Sequence, residues 1–136
     1  MIKILSEAIG QKANRDCREF NLTMQQMKIL HFLKTREGKT ETSQKDIQDY
    51  MGISHPTTVN ILRLMKDKGF IETSTSKTDK RMRIVSLTGR EESFVTEVIR
   101  RRKQMEKQLV RGLSDREQEN LHHYLQKMYQ NITDFR

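Results

Sequence analysis

Two groups of side chains in this chain have the chemistry to read a polyanion. The first is His55, Pro56, Val59, Asn60 and Arg63. On a wheel of 3.6 residues per turn these fall on one side of a helix, and Thr58, Ile61, Leu62 and Met65 fall on the other. Asparagine can bond bidentately to adenine, arginine to guanine, and a valine methyl can meet the thymine methyl. An ordinary solvated helix face with Val59 at its edge fits the same pattern, so the first group alone leaves both readings open. The second group is Lys77-Thr78-Asp79-Lys80-Arg81, three cations around one acid. An acid two residues before an arginine can hold the guanidinium in place and reduce its freedom.

The surrounding sequence predicts the elements that position these groups. Ser43 with Asp46 opens a short helix over 44–50, with Ile47, Tyr50 and Met51 on its inner face. Gly52 supplies a left-handed turn that costs other residues roughly 1 kcal/mol or more. Ser54 caps the next helix, and Pro56 is tolerated in its first turn, where amides have no intrahelical acceptor. Helix, glycine turn and helix form the helix-turn-helix pattern, whose second helix enters the DNA major groove. Gly69 stops that helix, and strands over 70–73 and 82–87 make a hairpin with the basic group at its tip. A hairpin beside a recognition helix can reach the DNA backbone or the minor groove. The hairpin tips the first group toward base reading.

The flanks read as helices. Ile2, Leu5, Ile9, Ala13, Cys17 and Phe20 make one apolar stripe over 2–20. Cys17 lies on it and reads as a small buried hydrophobe rather than a redox sensor. Thr23 and Gln26 form a capping box with Leu22 and Met27 as a hydrophobic staple. The helix they start runs to about Thr35, carried inward by Met27, Leu30, Phe32 and Leu33, and a loop follows over 36–42. Thr88 with Glu91 opens a long helix to about Gly112, and Ser114 with Glu117 caps the last one. Leu121, Leu125, Met128, Ile132 and Phe135 step by four and three, a heptad-like seam. The block Arg100-Arg101-Arg102-Lys103 reads as a solvated turn of the long helix before a phosphate contact.

The bulk numbers agree. The chain has 136 residues with net charge +8, and 34% of residues are hydrophobic. That length suits one domain, while the modest apolar content suits a fold that completes its burial in a dimer. Excess positive charge favours nucleic acid, then an anionic membrane surface. No apolar run approaches the ~20 residues of a membrane span. A single cysteine fits a reducing cytoplasm. There is no Gly-rich phosphate loop, HExxH or CxxC, and no serine or cysteine has an evident base partner. His122 and His123 point about 100° apart on a helix and do not make an i, i+4 ligand pair. The sequence therefore assigns no catalytic residue, metal or cofactor.

Taken together, the capped helix at Leu22-Thr23, the helix-turn-helix from Ser43, the strand start Gly69-Phe70-Ile71, the wing Asp79-Lys80-Arg81, the helix start Leu87-Thr88 and the final Leu113-Ser114-x-x-Glu117 resemble the MarR family of bacterial transcription regulators. The Asp-x-Arg wing followed by Leu-Thr is the most specific part. Thr73 and Ser74 stand where the family commonly has an arginine. The arrangement of cysteine and tyrosines of the peroxide-sensing branch is absent around Cys17. The resemblance implies a mainly α fold with a small β-hairpin wing, in one domain over 1–136. In it, residues 22–88 form the winged lobe, and 1–20 with 89–136 form a helical dimerisation region. It also implies a cytoplasmic homodimer on a pseudo-palindromic double-stranded DNA operator, often a repressor released by a small aromatic or anionic effector. The residues expected to face DNA are Ser43, Ser54, His55, Pro56, Thr57, Val59, Asn60 and Arg63, with Lys77, Asp79, Lys80 and Arg81 in the wing. Two other readings compete: a winged-helix module that binds protein, and a non-specific nucleoid-type DNA binder. Cations clustered at the wing argue against the first, and base-competent side chains against the second.

Overall fold

The computed structural model describes residues 1–135. The chain divides into two compact units, Met1–Arg100 and Arg101–Arg136. The first holds α1 (Ile2–Glu19), α2 (Met24–Arg36), α3 (Gln44–Met51), α4 (His55–Asp67), β1 (Ile71–Thr75), β2 (Arg83–Leu87) and the start of α5 (Glu92–Leu109). The second holds the rest of α5 and α6 (Asp115–Asp134). This is the mainly α fold with a two-stranded hairpin expected from the sequence.

Helix starts follow local sequence closely. Thr23, Ser43 and Ser114 each accept the backbone amide three residues on, and Gln26, Asp46 and Glu117 each reach back. Such caps satisfy amides that the helix itself leaves unpaired. The amide of Ser114 on the Glu117 carboxylate holds its pKa below the usual value. The start of α5 differs from the expected capping box. Thr88 Oγ1 instead donates to the Gly69 carbonyl at 2.7 Å, and Glu91 Oε2 accepts from Gly89, whose φ is +95°. The chain must turn at Gly89 before it can coil, so the helix begins at Glu92. It also ends at Leu109, short of Gly112.

The first unit has one apolar core. Ile29 and Leu30 of α2, Ile47 of α3, Ile61, Leu62 and Met65 of α4, Ile71 and Val85 of the hairpin, and Val95 of α5 meet there. Burying such a side chain is worth roughly 1.5–3 kcal/mol. Cys17 and Leu22 bring in the end of α1 and the turn after it. The α1 stripe is thus half used: Cys17 is buried, whereas Ile2 and Leu5 are exposed. Burial, with the neighbouring Asp16 carboxylate, pushes the Cys17 thiol up, so it stays a neutral hydrophobe.

Tyr50 departs from the inner face expected for it. It is exposed and stacks flat on Phe32, with ring centroids 4.1 Å apart. Ile47 is the fully buried residue of the short α3, and Met51 packs partly buried against the same core. In the second unit, Leu121, Leu125, Met128 and Ile132 of α6, with Phe135 after it, are all exposed.

Candidate nucleic-acid interface

Helix α4 is positioned by its apolar side. Thr58, Ile61, Leu62 and Met65 are buried, with Thr58 satisfied by a bond from its hydroxyl to the Ser54 carbonyl at 2.9 Å. His55, Pro56, Val59, Asn60 and Arg63 are consequently exposed, as the wheel expected, and Thr57 is exposed with them. Ser54 caps the helix through the Thr57 amide, and its hydroxyl pairs with the Thr57 hydroxyl at 2.8 Å. Gly52 makes the turn before it with φ +63°. Gln48 of α3 reaches His55 Nδ1 at 3.3 Å, a polar link across that turn.

The exposed face has internal order. Arg63 Nη2 donates to Asn60 Oδ1 at 2.9 Å, and its Nη1 lies 3.5 Å from Asp67 Oδ2. The guanidinium is therefore aligned along the helix by two neighbours, three residues before it and four after.

Ser43 takes a different place from the one expected. Its side chain is buried and committed to the Asp46 cap, and its backbone bridges to Ile84 of β2. It ties α3 to the hairpin and offers no hydroxyl to a ligand.

The wing is an antiparallel pair in the register Ile71↔Leu87 to Thr75↔Arg83. Both strands start one residue later than expected, and β1 extends two further, to Thr75. Ile71 and Val85 face the core, Ile84 on the opposite face of β2 is buried too, and Val85 N donates to the Thr42 carbonyl at 2.8 Å. Asp79 Oδ1 accepts both the Arg81 amide at 3.0 Å and its Nε at 3.3 Å. The acid thus holds the arginine twice, at backbone and side chain, while the Arg81 side chain stays 91% exposed. Lys77 and Lys80 are exposed beside it. The structure therefore places four predicted wing residues at one tip and six predicted helix residues on one face.

Three side chains that position these surfaces had no local signal. Ser76, fully inside the hairpin tip, accepts the Thr78 and Asp79 amides. Glu41, in the loop after α2, accepts the Ser76 hydroxyl at 2.8 Å. Lys68, at the end of α4, donates to the Asn21 carbonyl and to Gln26 Oε1, fastening α4 to the α1–α2 turn. The basic block of α5 is engaged within its own helix, Arg100 with Glu97 and Arg102 with Glu106. Among the described residues, no cluster of three His, Cys, Asp or Glu could hold a metal, and no helix is long and apolar enough to cross a membrane.

Residues 20–82 match the sequence model of the MarR family. The likeness continues beyond that stretch. The chain superposes on the MepR G34K mutant of S. aureus with a TM-score of 0.82 at 27% identity, covering 96% of this chain and 95% of that one. Over residues 20–82 the chain carries MarR-family sequence, and over nearly its whole length it is similar to MepR. An S. aureus MepR–DNA complex gives a TM-score of 0.80 at 27% identity, over 96% of this chain and 94% of that one. A further relative is an uncharacterized HTH-type transcriptional regulator, YwoH of Bacillus subtilis strain 168. It is 26% identical over 122 residues, 90% of this chain and 86% of its own. The fold is accordingly a winged helix-turn-helix similar to that of MarR-type transcription regulators, as the wing and capping motifs led us to expect.

Proposed function

We propose that this protein is a MarR-type regulator that binds a pseudo-palindromic DNA operator as a homodimer, represses the adjoining gene, and is released by a small aromatic or anionic effector. Residues 22–88 form the DNA-binding lobe. Helix α4 enters the major groove with His55, Asn60 and Arg63 toward base edges, and Pro56, Thr57 and Val59 fill the contact. The wing lays Lys77, Lys80 and Arg81 along the backbone or minor groove.

The observation that carries this reading is the division of α4. One side is wholly committed to the core, the other is exposed and base-competent, and the hairpin that follows carries an exposed arginine held by Asp79. A protein-binding wing has no need of that arginine, and a non-specific binder has no need of Asn60 and Arg63. Similarity to MepR, solved with DNA, supports the same reading. Similarity to MepR, a transcription regulator of the S. aureus multidrug efflux pump MepA, supports the effector. The exposed seam of α6 and the exposed Ile2, Ile4 and Leu5 of α1 support a dimer in which residues 1–20 and 89–136 pair. Two lobes then reach successive major grooves ~34 Å apart, and an effector that shifts their separation weakens both contacts together.

Selection of a randomised duplex library on the purified protein tests the proposal. An inverted repeat with half-sites one helical turn apart is expected, bound by a sedimenting dimer. Equal recovery of all sequences would make the protein a non-specific binder, and no recovery at low salt would favour a protein-binding wing.

A further inference from the structure

The wing tip is not held by packing. Between the hairpin and the α2–α3 loop lies an open-sided cleft of about 430 Å³, lined among others by Leu33, Ile84, Val85, Glu41 and Lys77. The strands below are packed on the core, but the tip itself is held by polar contacts: Ser76 N donates to the Met82 carbonyl and Met82 N to the Asp79 carbonyl, both at 3.0 Å, and Glu41 reaches it across the gap. We propose that Glu41 is the positioning residue for the wing arginine, acting from the opposite side of the cleft through Ser76 and Asp79. This inference rests on the reading of the wing as a DNA contact.

The connection can be followed atom by atom. Glu41 Oε2 accepts the Ser76 hydroxyl at 2.8 Å, and Oε1 lies 3.4 Å from the Lys77 amide. With its proton given to Glu41, Ser76 Oγ is free to accept, and it takes the amides of Thr78 at 3.2 Å and Asp79 at 3.3 Å. Those two amides set the backbone from which the Asp79 carboxylate receives Arg81. Ser76 is only 4% exposed, and without Glu41 its hydroxyl would have to turn to Thr78 Oγ1 at 3.1 Å, which takes it away from the arrangement that Glu41 holds.

Glu41 is itself presented from a fixed loop. Arg36 Nη2 donates to the Glu41 carbonyl at 3.2 Å, and Arg36 Nε to Thr42 Oγ1 at 2.9 Å. The same guanidinium stands over the Phe32 ring, 5.1 Å from its centre. An acid this near a basic tip would weaken DNA binding if charge were its whole effect. Its bonding geometry gives it the opposite sign.

That difference of sign makes the test. Glu41→Ala is expected to weaken binding to the selected operator roughly five- to tenfold, the scale of a lost hydrogen-bond relay. Glu41→Gln keeps the 2.8 Å acceptor for Ser76, gives up only the long 3.4 Å contact with the Lys77 amide and sheds the charge, so it should bind as tightly as wild type or tighter. In the Arg81→Ala background, Glu41→Ala should have no further effect. Amide exchange at Thr78 and Asp79, measured without DNA, should speed up in Glu41→Ala and stay slow in Glu41→Gln. Equal tightening by both substitutions, unchanged exchange, or an undiminished Glu41→Ala loss beside Arg81→Ala would each overturn the proposal. Wild-type operator binding is measured alongside. Its absence would count against the DNA reading of the wing, and the exchange result would still judge the brace separately.

Discussion

The exposed face of α4 stands on four buried side chains, whereas the hairpin tip stands on a sequence of hydrogen bonds over an open cleft. The two surfaces serve one proposed contact but are held by different physics. Packing fixes the helix as a rigid body, so each residue of its outer face keeps its position whatever its neighbours do. Hydrogen bonds fix the tip residue by residue, so losing one partner loosens those after it. Base reading suits the first arrangement, because bidentate pairing needs tight geometry. Contact with a continuous phosphate backbone suits the second, since phosphates tolerate small displacement.

The largest expected effect comes from removing the packing. Leu62→Ala or Met65→Ala should cost about 2–5 kcal/mol of stability and lower the thermal midpoint. A loss near zero would mean that α4 is not held as described. Next come the readers themselves. Asn60→Ala or Arg63→Ala should weaken the best operator by roughly 1–3 kcal/mol and relax preference at one base position per half-site. An unchanged library profile would remove α4 from the role of reader.

The wing should respond in a different currency. Arg81→Ala should lower the slope of log K against log salt by about one, with preference across sequences nearly unchanged. Asp79→Ala should also weaken binding, although it removes a negative charge, and should add little in the double mutant. Tighter binding by Asp79→Ala would show that the acid is surface charge only. The smallest effect tests the turn between the helices. No atom lies within 4 Å of where a Cβ on Gly52 would sit, so Gly52→Ala should cost only the backbone term, roughly 1 kcal/mol, in chemical denaturation.

These elements were not equally legible in the sequence. The caps at Thr23, Ser43 and Ser114 depend on residues three apart, and the buried face of α4 on helical periodicity; both can be read directly from the chain. The Asp79–Arg81 pair is likewise a contact between near neighbours. Ser43 reads identically as a cap or as a DNA contact, and only the bridge to Ile84 shows that it is buried. Tyr50 fits the inner face of α3 by spacing, but α3 is one short helix, and the Phe32 ring draws Tyr50 to its rim. Glu41 and Ser76 are separated by 35 residues, and Lys68 and Gln26 by 42. No local period connects such pairs, so their roles emerge only once the chain has folded.

The pairing of Arg63 with Asn60 and Asp67 bears on how the protein would search a chromosome. A reader that already spends two of its five donors on its own helix gains less at the right base, because it exchanges those partners for the base edge. At a wrong base it returns to its own helix and leaves nothing unsatisfied. Mismatches at that position should therefore fall toward the lower end of the usual ~1–3 kcal/mol per base pair. Sliding over non-cognate DNA meets little resistance there, and operators that vary at that base stay within reach of one regulator.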